Sequence, residues 1–169
     1  MSDGPGEHLE RDPEDHPARQ HEIEVTESEA VAAVHHEAPS DRWLFLCHGL
    51  LSDKSGSYEG RARRAVAAGY NAVRFDCRGC GESDGRFVDQ SLSARIEDLA
   101  AVVDHFDPDS YALFGSSFGG KVAFHTAARD DRVEAVATRA PVTYRRAFDE
   151  CREAVEHEGE ITLDGDRRI

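Results

Sequence analysis

The five residues Gly115-Ser116-Ser117-Phe118-Gly119 join an apolar run to an amphipathic one with no loop between them, and few folds accept such a junction. Residues 111–114 (Tyr-Ala-Leu-Phe) read as a buried strand and residues 118–129 as a helix. The motif must therefore turn strand into helix on the spot. A turn that tight forces its central residue into a strained backbone conformation, and its neighbours two positions away must lack bulk, as Gly115 and Gly119 do. Ser117 is thereby lifted to the carboxyl end of the strand, at the positive end of the helix dipole. G-x-S-x-G also arises by chance as a plain glycine-rich turn, and it is the strand before and the helix after that make it informative. Gly120-Lys121 shares a pair with phosphate-binding loops, but the G-x-x-x-x-G-K-[ST] spacing is absent.

The rest of the chain repeats the same alternation. Ile23 and Val25, then residues 30–35, predict two short antiparallel strands at a sheet edge. Trp43–Cys47 is a continuous apolar run ended by His48-Gly49, as expected of a central strand buried on both faces. Residues 58–69 predict a helix closed by a glycine, and residues 71–76 the next strand. Leu92, Ile96, Leu99, Val102, Val103 and Phe106 form one helical stripe, and residues 133–138 a further strand. Repeated β-α-β units imply a mostly parallel sheet with helices on both faces. After Pro141 the pattern weakens into a polar helix over 144–157 and a short strand over 160–163.

Composition narrows the partners. The 34 acidic against 20 basic residues give a formal charge of -14, which repels nucleic-acid phosphates and anionic membrane surfaces. Lys54 and Lys121 are the only lysines, the balance expected of a halophilic cytoplasm, where salt screens a carboxylate-rich surface; an acidic mesophilic protein is the alternative. No apolar run approaches the roughly 20 residues that cross a bilayer, and the N-terminus lacks a signal pattern, so a cytoplasmic location is expected. Residues 1–20 contain almost nothing apolar and read as a disordered acidic arm, and His8, His16 and the adjoining His21 are expected to be simply solvated rather than metal ligands. Cys47, Cys77, Cys80 and Cys151 are too few and too irregular for a disulfide framework and are expected reduced. The C-x-x-C of Cys77 and Cys80 falls in a glycine turn rather than at a helix start and has no further ligands at zinc spacing, so neither a redox pair nor a metal is expected.

An acyl-transfer site needs two backbone N–H groups aimed at the developing oxyanion. One is expected from Phe118, directly after the nucleophile, and the other from Leu50, in the loop His48-Gly49-Leu50 after an earlier strand. The His48 side chain is expected to shape that loop. A third signal is Arg74-Phe75-Asp76-Cys77-Arg78-Gly79-Cys80-Gly81-Glu82-Ser83-Asp84-Gly85, a strand end running into a glycine turn. With H-G before it and G-x-S-x-G-G after it, the chain over residues 23–142 resembles the serine esterase, lipase and peptidase-like members of the α/β-hydrolase superfamily. The resemblance implies a doubly wound, mostly parallel α/β sheet, with Ser117 as nucleophile, Leu50 and Phe118 as oxyanion hole, and Asp76 and Arg78 as structural residues of the entrance loop. It implies a small acyl substrate and no cofactor or metal.

A serine nucleophile needs a histidine base oriented by an acid, and in this family both follow the serine in the chain. Downstream lie only His125 and His157. His125 is eight residues along the helix that Ser117 begins, about 12 Å on at 1.5 Å per residue. His157 reads as a surface residue, and Asp164-Gly165-Asp166 as a turn. The expectation is an incomplete α/β-hydrolase domain over 21–169, lacking its C-terminal core strands, with residues 142–169 a cap-like or irregular segment. Three readings follow: an esterase-like enzyme with part of its chain missing, a non-catalytic relative that binds a partner or acyl ligand, and a protein completed in trans. A second chain or dimer would cover the sheet edge left open.

Overall fold

In a computed structural model, which describes residues 17–143 and two short strands near the end of the chain, six strands form one sheet in the order β1-β2-β4-β3-β5-β6. They are β1 (Ala18–Glu24), β2 (Ala30–His36), β3 (Trp43–Cys47), β4 (Asn71–Phe75), β5 (Tyr111–Ser116) and β6 (Val133–Arg139). The last four run parallel, while β2 lies antiparallel to both β1 and β4. Three helices connect the parallel strands: α1 (Ser57–Ala67), α2 (Leu92–Phe106) and α3 (Phe118–Ala127). The expected doubly wound, mostly parallel sheet is therefore present, with an antiparallel hairpin on one flank.

The strand alternation divides the interior into two cores. Phe45 and Cys47 of β3, Val73 and Phe75 of β4, and Tyr111 and Leu113 of β5 face α2 and α3, where Leu99, Val102, Val103, Val122 and Ala123 meet them. Leu46 and Ala72 face the other way, on to Tyr58, Ala62, Ala65 and Val66 of α1. Such two-sided burial explains why β3 reads as an unbroken apolar run. Each helix is bounded by local chemistry. The Ser91 hydroxyl accepts the Ala94 N–H at 3.0 Å to start α2, Asp107 ends it at φ 47, and Gly69 at φ +83 closes the turn after α1.

Because β3 leads through α1 to β4 on one side, and β4 leads through α2 back to β5 on the other, the loops after β3 and β5 part company at adjacent strand ends. This switch point is where open α/β sheets bind their ligands. Nothing among the described residues is a helix long and apolar enough to cross a membrane.

Two sequence boundaries move. The strand β1 begins at Ala18, three residues inside the segment read as an arm, because it pairs with β2 from Ala18 opposite His36 to Glu24 opposite Ala30. Cross-strand hydrogen bonds order a stretch whose side chains are nearly all exposed. Residues 1–16, and the helix expected over 144–157, lie outside the described residues. Thr162–Leu163, within the strand expected over 160–163, pairs with Arg167–Arg168 in a separate two-stranded sheet and does not extend the main one.

Leu113, fully buried on the central strand β5, tests how much the larger core contributes. Leu113→Ala should lower the unfolding free energy by about 2–5 kcal/mol in urea titration, with the m-value unchanged.

Candidate active site

Ser117 is the first thing the fold makes unusual. It stands as N-cap of α3 at φ 53, ψ -119, and its side chain makes no capping hydrogen bond. An ordinary N-cap serine is extended and folds its hydroxyl back on to the helix. A non-glycine residue in this region carries about 1–3 kcal/mol of strain. The turn is pinned from both flanks: the Ser117 N–H donates to the Arg139 carbonyl at 3.0 Å, and the Ser117 carbonyl accepts from Gly120 and Val142 at 3.1 Å each.

The glycines around it are close approaches of backbone to backbone. A Cβ on Gly119 would stand 2.2 Å from the Cys47 carbonyl oxygen, and one on Gly115 2.4 Å from that of Gly119. A Cβ on Gly49 would meet the Ser117 Cβ at 3.4 Å, so the loop after β3 passes beside the serine. Gly49, Leu50, Leu51, Ser52, Ser116, Ser117 and Phe118 line an open cleft of about 420 Å³ at the switch point. Leu50, Ser117 and Phe118 thus line one cleft. A second cleft of about 420 Å³ lies beside the β1–β2 hairpin, lined by Lys54, Glu82 and Asp84, and does not include the serine.

The remaining site residues brace this arrangement. His48 is 1% exposed, its Nε2 accepts the Cys77 N–H at 3.0 Å, and its Nδ1 therefore carries the proton and donates to the Gly49 carbonyl at 2.7 Å. Burial, aided by the nearby Arg95 charge, pushes its pKa down to about 4. Asp76, also buried, accepts from the Lys54 N–H and the Lys54 ammonium at 2.6 Å each and from the Glu82 N–H at 2.9 Å. A Cβ on Gly81 would fall 2.2 Å from Asp76 Oδ2, so the glycine turn is packed directly on that carboxylate. Arg78 binds Asp98 at 2.5 Å, Glu97 at 3.0 Å and Glu29 at 3.1 Å, and ties the loop to α2.

Several partners escaped the sequence reading. Arg95, Asp98, Lys54 and Tyr58 all have buried side chains that hold the loops, yet charged residues on a helix read by default as a solvated face. The signal was available for Arg95 and Asp98, which stand three and six residues after Leu92, on the apolar stripe of α2. Cys47 and Cys77 are buried, and burial pushes the Cys77 thiol up and Cys47 up to about 12, so neither is a ready thiolate; Cys80 is buried beside them in the chain's glycine turn. No three metal-binding side chains cluster among the described residues.

Among the described residues, no histidine or carboxylate hydrogen-bonds the Ser117 hydroxyl. His125 lies further along α3 with its Nδ1 3.2 Å from Arg129. His157 and Asp164 to Asp166 lie outside the described residues.

Residues 38–156 match the family described as serine aminopeptidase, S33. The quorum-quenching protein AidA of Acinetobacter baumannii is 33% identical over 109 residues, 59% of this chain and 35% of that protein. The mitochondrial palmitoyl-protein thioesterase ABHD10 of Rattus norvegicus is 32% identical over 134 residues, 71% of this chain and 43% of that protein. Among solved structures, alpha/beta hydrolase domain-containing protein 10 from mouse superposes with a TM-score of 0.72 at 26% identity, covering 89% of this chain and 66% of that one. The chain spans well under two thirds of the length of these curated relatives.

Two measurements probe the braces. Gly119→Ala should cost roughly 3 kcal/mol or more, because backbone rather than a flexible side chain blocks the new Cβ. His48, neutral in the fold down to about pH 4 and near 6.5 when unfolded, makes the unfolded chain the better proton binder between those values. Stability should therefore fall as pH drops through that window, by about 3 kcal/mol from this residue. In His48→Asn the pH slope of the unfolding free energy should be smaller by about one proton.

Proposed function

Because the chain belongs to the serine aminopeptidase S33 family of α/β-hydrolases, we propose that it is a serine hydrolase that opens a carboxylic ester, thioester or amide through an acyl-enzyme on Ser117. The observation that carries this reading is the strained, uncapped Ser117 at φ 53 beside the Gly49–Leu50 loop. Strain of this kind persists only where the surroundings over-determine it, and here those surroundings are a cleft at the switch point of the sheet.

In the proposed reaction the Ser117 Oγ attacks the acyl carbon while a base takes its proton. The carbonyl oxygen becomes an oxyanion held by the N–H groups of Leu50 and Phe118. Collapse expels the alcohol, thiol or amine and leaves the acyl group on Ser117, and water then releases the acid. The base and its orienting acid would come from residues outside the described part or from a second chain. Leu51, 42% exposed, gives the cleft an apolar lip suited to an acyl chain. The name of the thioesterase relative supports a thioester among the substrates. The acidic composition and the two lysines among 20 basic residues support a salt-adapted cytoplasmic setting.

The second reading, a binding module that keeps the elbow without turnover, is favoured by the absence of a base on Ser117 among the described residues. Fluorophosphonate labelling in molar KCl separates the two. The folded chain should label at Ser117, and Ser117→Ala should lose both labelling and any hydrolysis of p-nitrophenyl esters with its circular dichroism unchanged. Ester turnover by Ser117→Ala at the parental rate would remove Ser117 from the mechanism. A folded parent that never labels would favour the binding module.

A further inference from the structure

Arg95 occupies a place on α2 where an apolar side chain would serve the core better. It is 1% exposed, and among the described residues no carboxylate hydrogen-bonds it. Its guanidinium donates to the carbonyls of His48 at 3.1 Å, Gly49 at 3.2 Å and Leu50 at 3.3 Å. The remaining contacts are the Gln90 side-chain oxygen at 2.8 Å and the Cys80 sulfur at 3.6 Å. The same group lies 5.3 Å from the centre of the Phe118 ring. Its hydrogen-bond partners among the described residues are all neutral, and the buried Asp98 acts on it by charge alone. Such a cation is costly to desolvate, and an apolar residue of similar volume would avoid that cost.

Peptide geometry shows what the arrangement accomplishes. The Gly49 carbonyl and the Leu50 N–H belong to one planar trans peptide, so fixing one end fixes the other in the opposite direction. That carbonyl is held by Arg95 and by His48 Nδ1 at 2.7 Å, with a longer contact from the Ser52 hydroxyl at 3.4 Å. Rotating the peptide would break the first two bonds at once. Charge donated to the carbonyl also polarises the peptide and makes its N–H a stronger donor.

We propose that Arg95 is a positioning residue of the oxyanion hole: it clamps the Gly49–Leu50 peptide from inside the fold and presets the Leu50 N–H toward the acyl oxygen bound at Ser117. The proposal rests on the reading of Ser117 as nucleophile, and two readouts keep the two apart. Arg95→Met keeps the apolar stem and removes the donors, Arg95→Lys keeps the charge with fewer donors, and Gln90→Leu releases the guanidinium from one side. Gln90→Leu is decisive if Arg95→Met does not fold. In each variant the Leu50 amide is followed by its proton and nitrogen shifts and its hydrogen-exchange rate, and Ser117 by its rate of fluorophosphonate labelling and by kcat and KM on a p-nitrophenyl ester.

The expected result is a shifted, faster-exchanging Leu50 amide and a labelling rate and kcat lower by roughly 10- to 100-fold in Arg95→Met, with KM little changed and Arg95→Lys intermediate. Folded variants whose Leu50 amide is unmoved and whose labelling stays within twofold of the parent overturn the clamp while leaving Ser117 in place. If the folded parent does not label, the nucleophile reading fails, and the Leu50 amide alone decides for or against the clamp.

Discussion

Where the first turn of α3 crosses the ends of β3 and β5, backbone rests on backbone, and the geometry of the cleft depends on that contact. Gly119 brings its Cα to the Cys47 and His48 carbonyls, with no room for a side chain. Only with α3 pressed this closely to the sheet does β5 pass into helix without a loop. The residue at the junction must then take φ 53. The strain is offset locally by three backbone hydrogen bonds, one to Arg139 and two from Gly120 and Val142, so β6 and its following turn help to hold the serine through backbone.

The glycine-rich loop after β4 carries the second half of the support. Asp76 gathers Lys54 from the loop after β3 and Glu82 from its own turn, while Arg78 reaches α2 through Asp98 and His48 links the two loops through the Cys77 N–H. Asp76, Lys54, Asp98 and His48 are buried, so each depends on its partners: removing one leaves the others desolvated and unpaired, a larger loss than an exposed ion pair would suffer. The acid excess behind the overall charge of -14 is present in this network too, where Lys54 serves Asp76 and Glu82, and Arg78 serves Asp98, Glu97 and Glu29.

The sheet was legible because its strands are bounded by glycine turns and alternate with helical stripes, and the cleft because G-x-S-x-G and H-G-L fall at the ends of adjacent parallel strands. Strand β1 was misjudged at its start because its order comes from pairing with β2, which leaves no trace in the local composition of residues 18–20. Arg95 was passed over for a different reason: the helical stripe was traced through its apolar residues alone, although a position three residues after Leu92 put Arg95 on it. The role of His48 was legible in outline, but its two partners come from Cys77, 29 residues away, and from its own neighbour, and only the fold assigns its proton.

On the proposed reading, what residues 43–118 assemble is the half of a hydrolytic site that acts through fixed dipoles. The serine is displayed, the helix N-terminus faces it, and the loop beneath is clamped by Arg95 and His48. The half that moves protons is not among the described residues, since His125 sits a helical turn from Arg129 and His48 is held neutral as a donor to Gly49. These halves are physically separable. Serine hydrolases stripped of triad members keep roughly 10³–10⁴-fold catalysis over water through the oxyanion hole and binding alone. Electrostatic preorganisation therefore has value without the base. On that reading a chain that maintains a strained serine, two glycines with no room for a Cβ and a buried arginine around one small cleft is built on the precision of the Leu50 N–H rather than on the identity of the base.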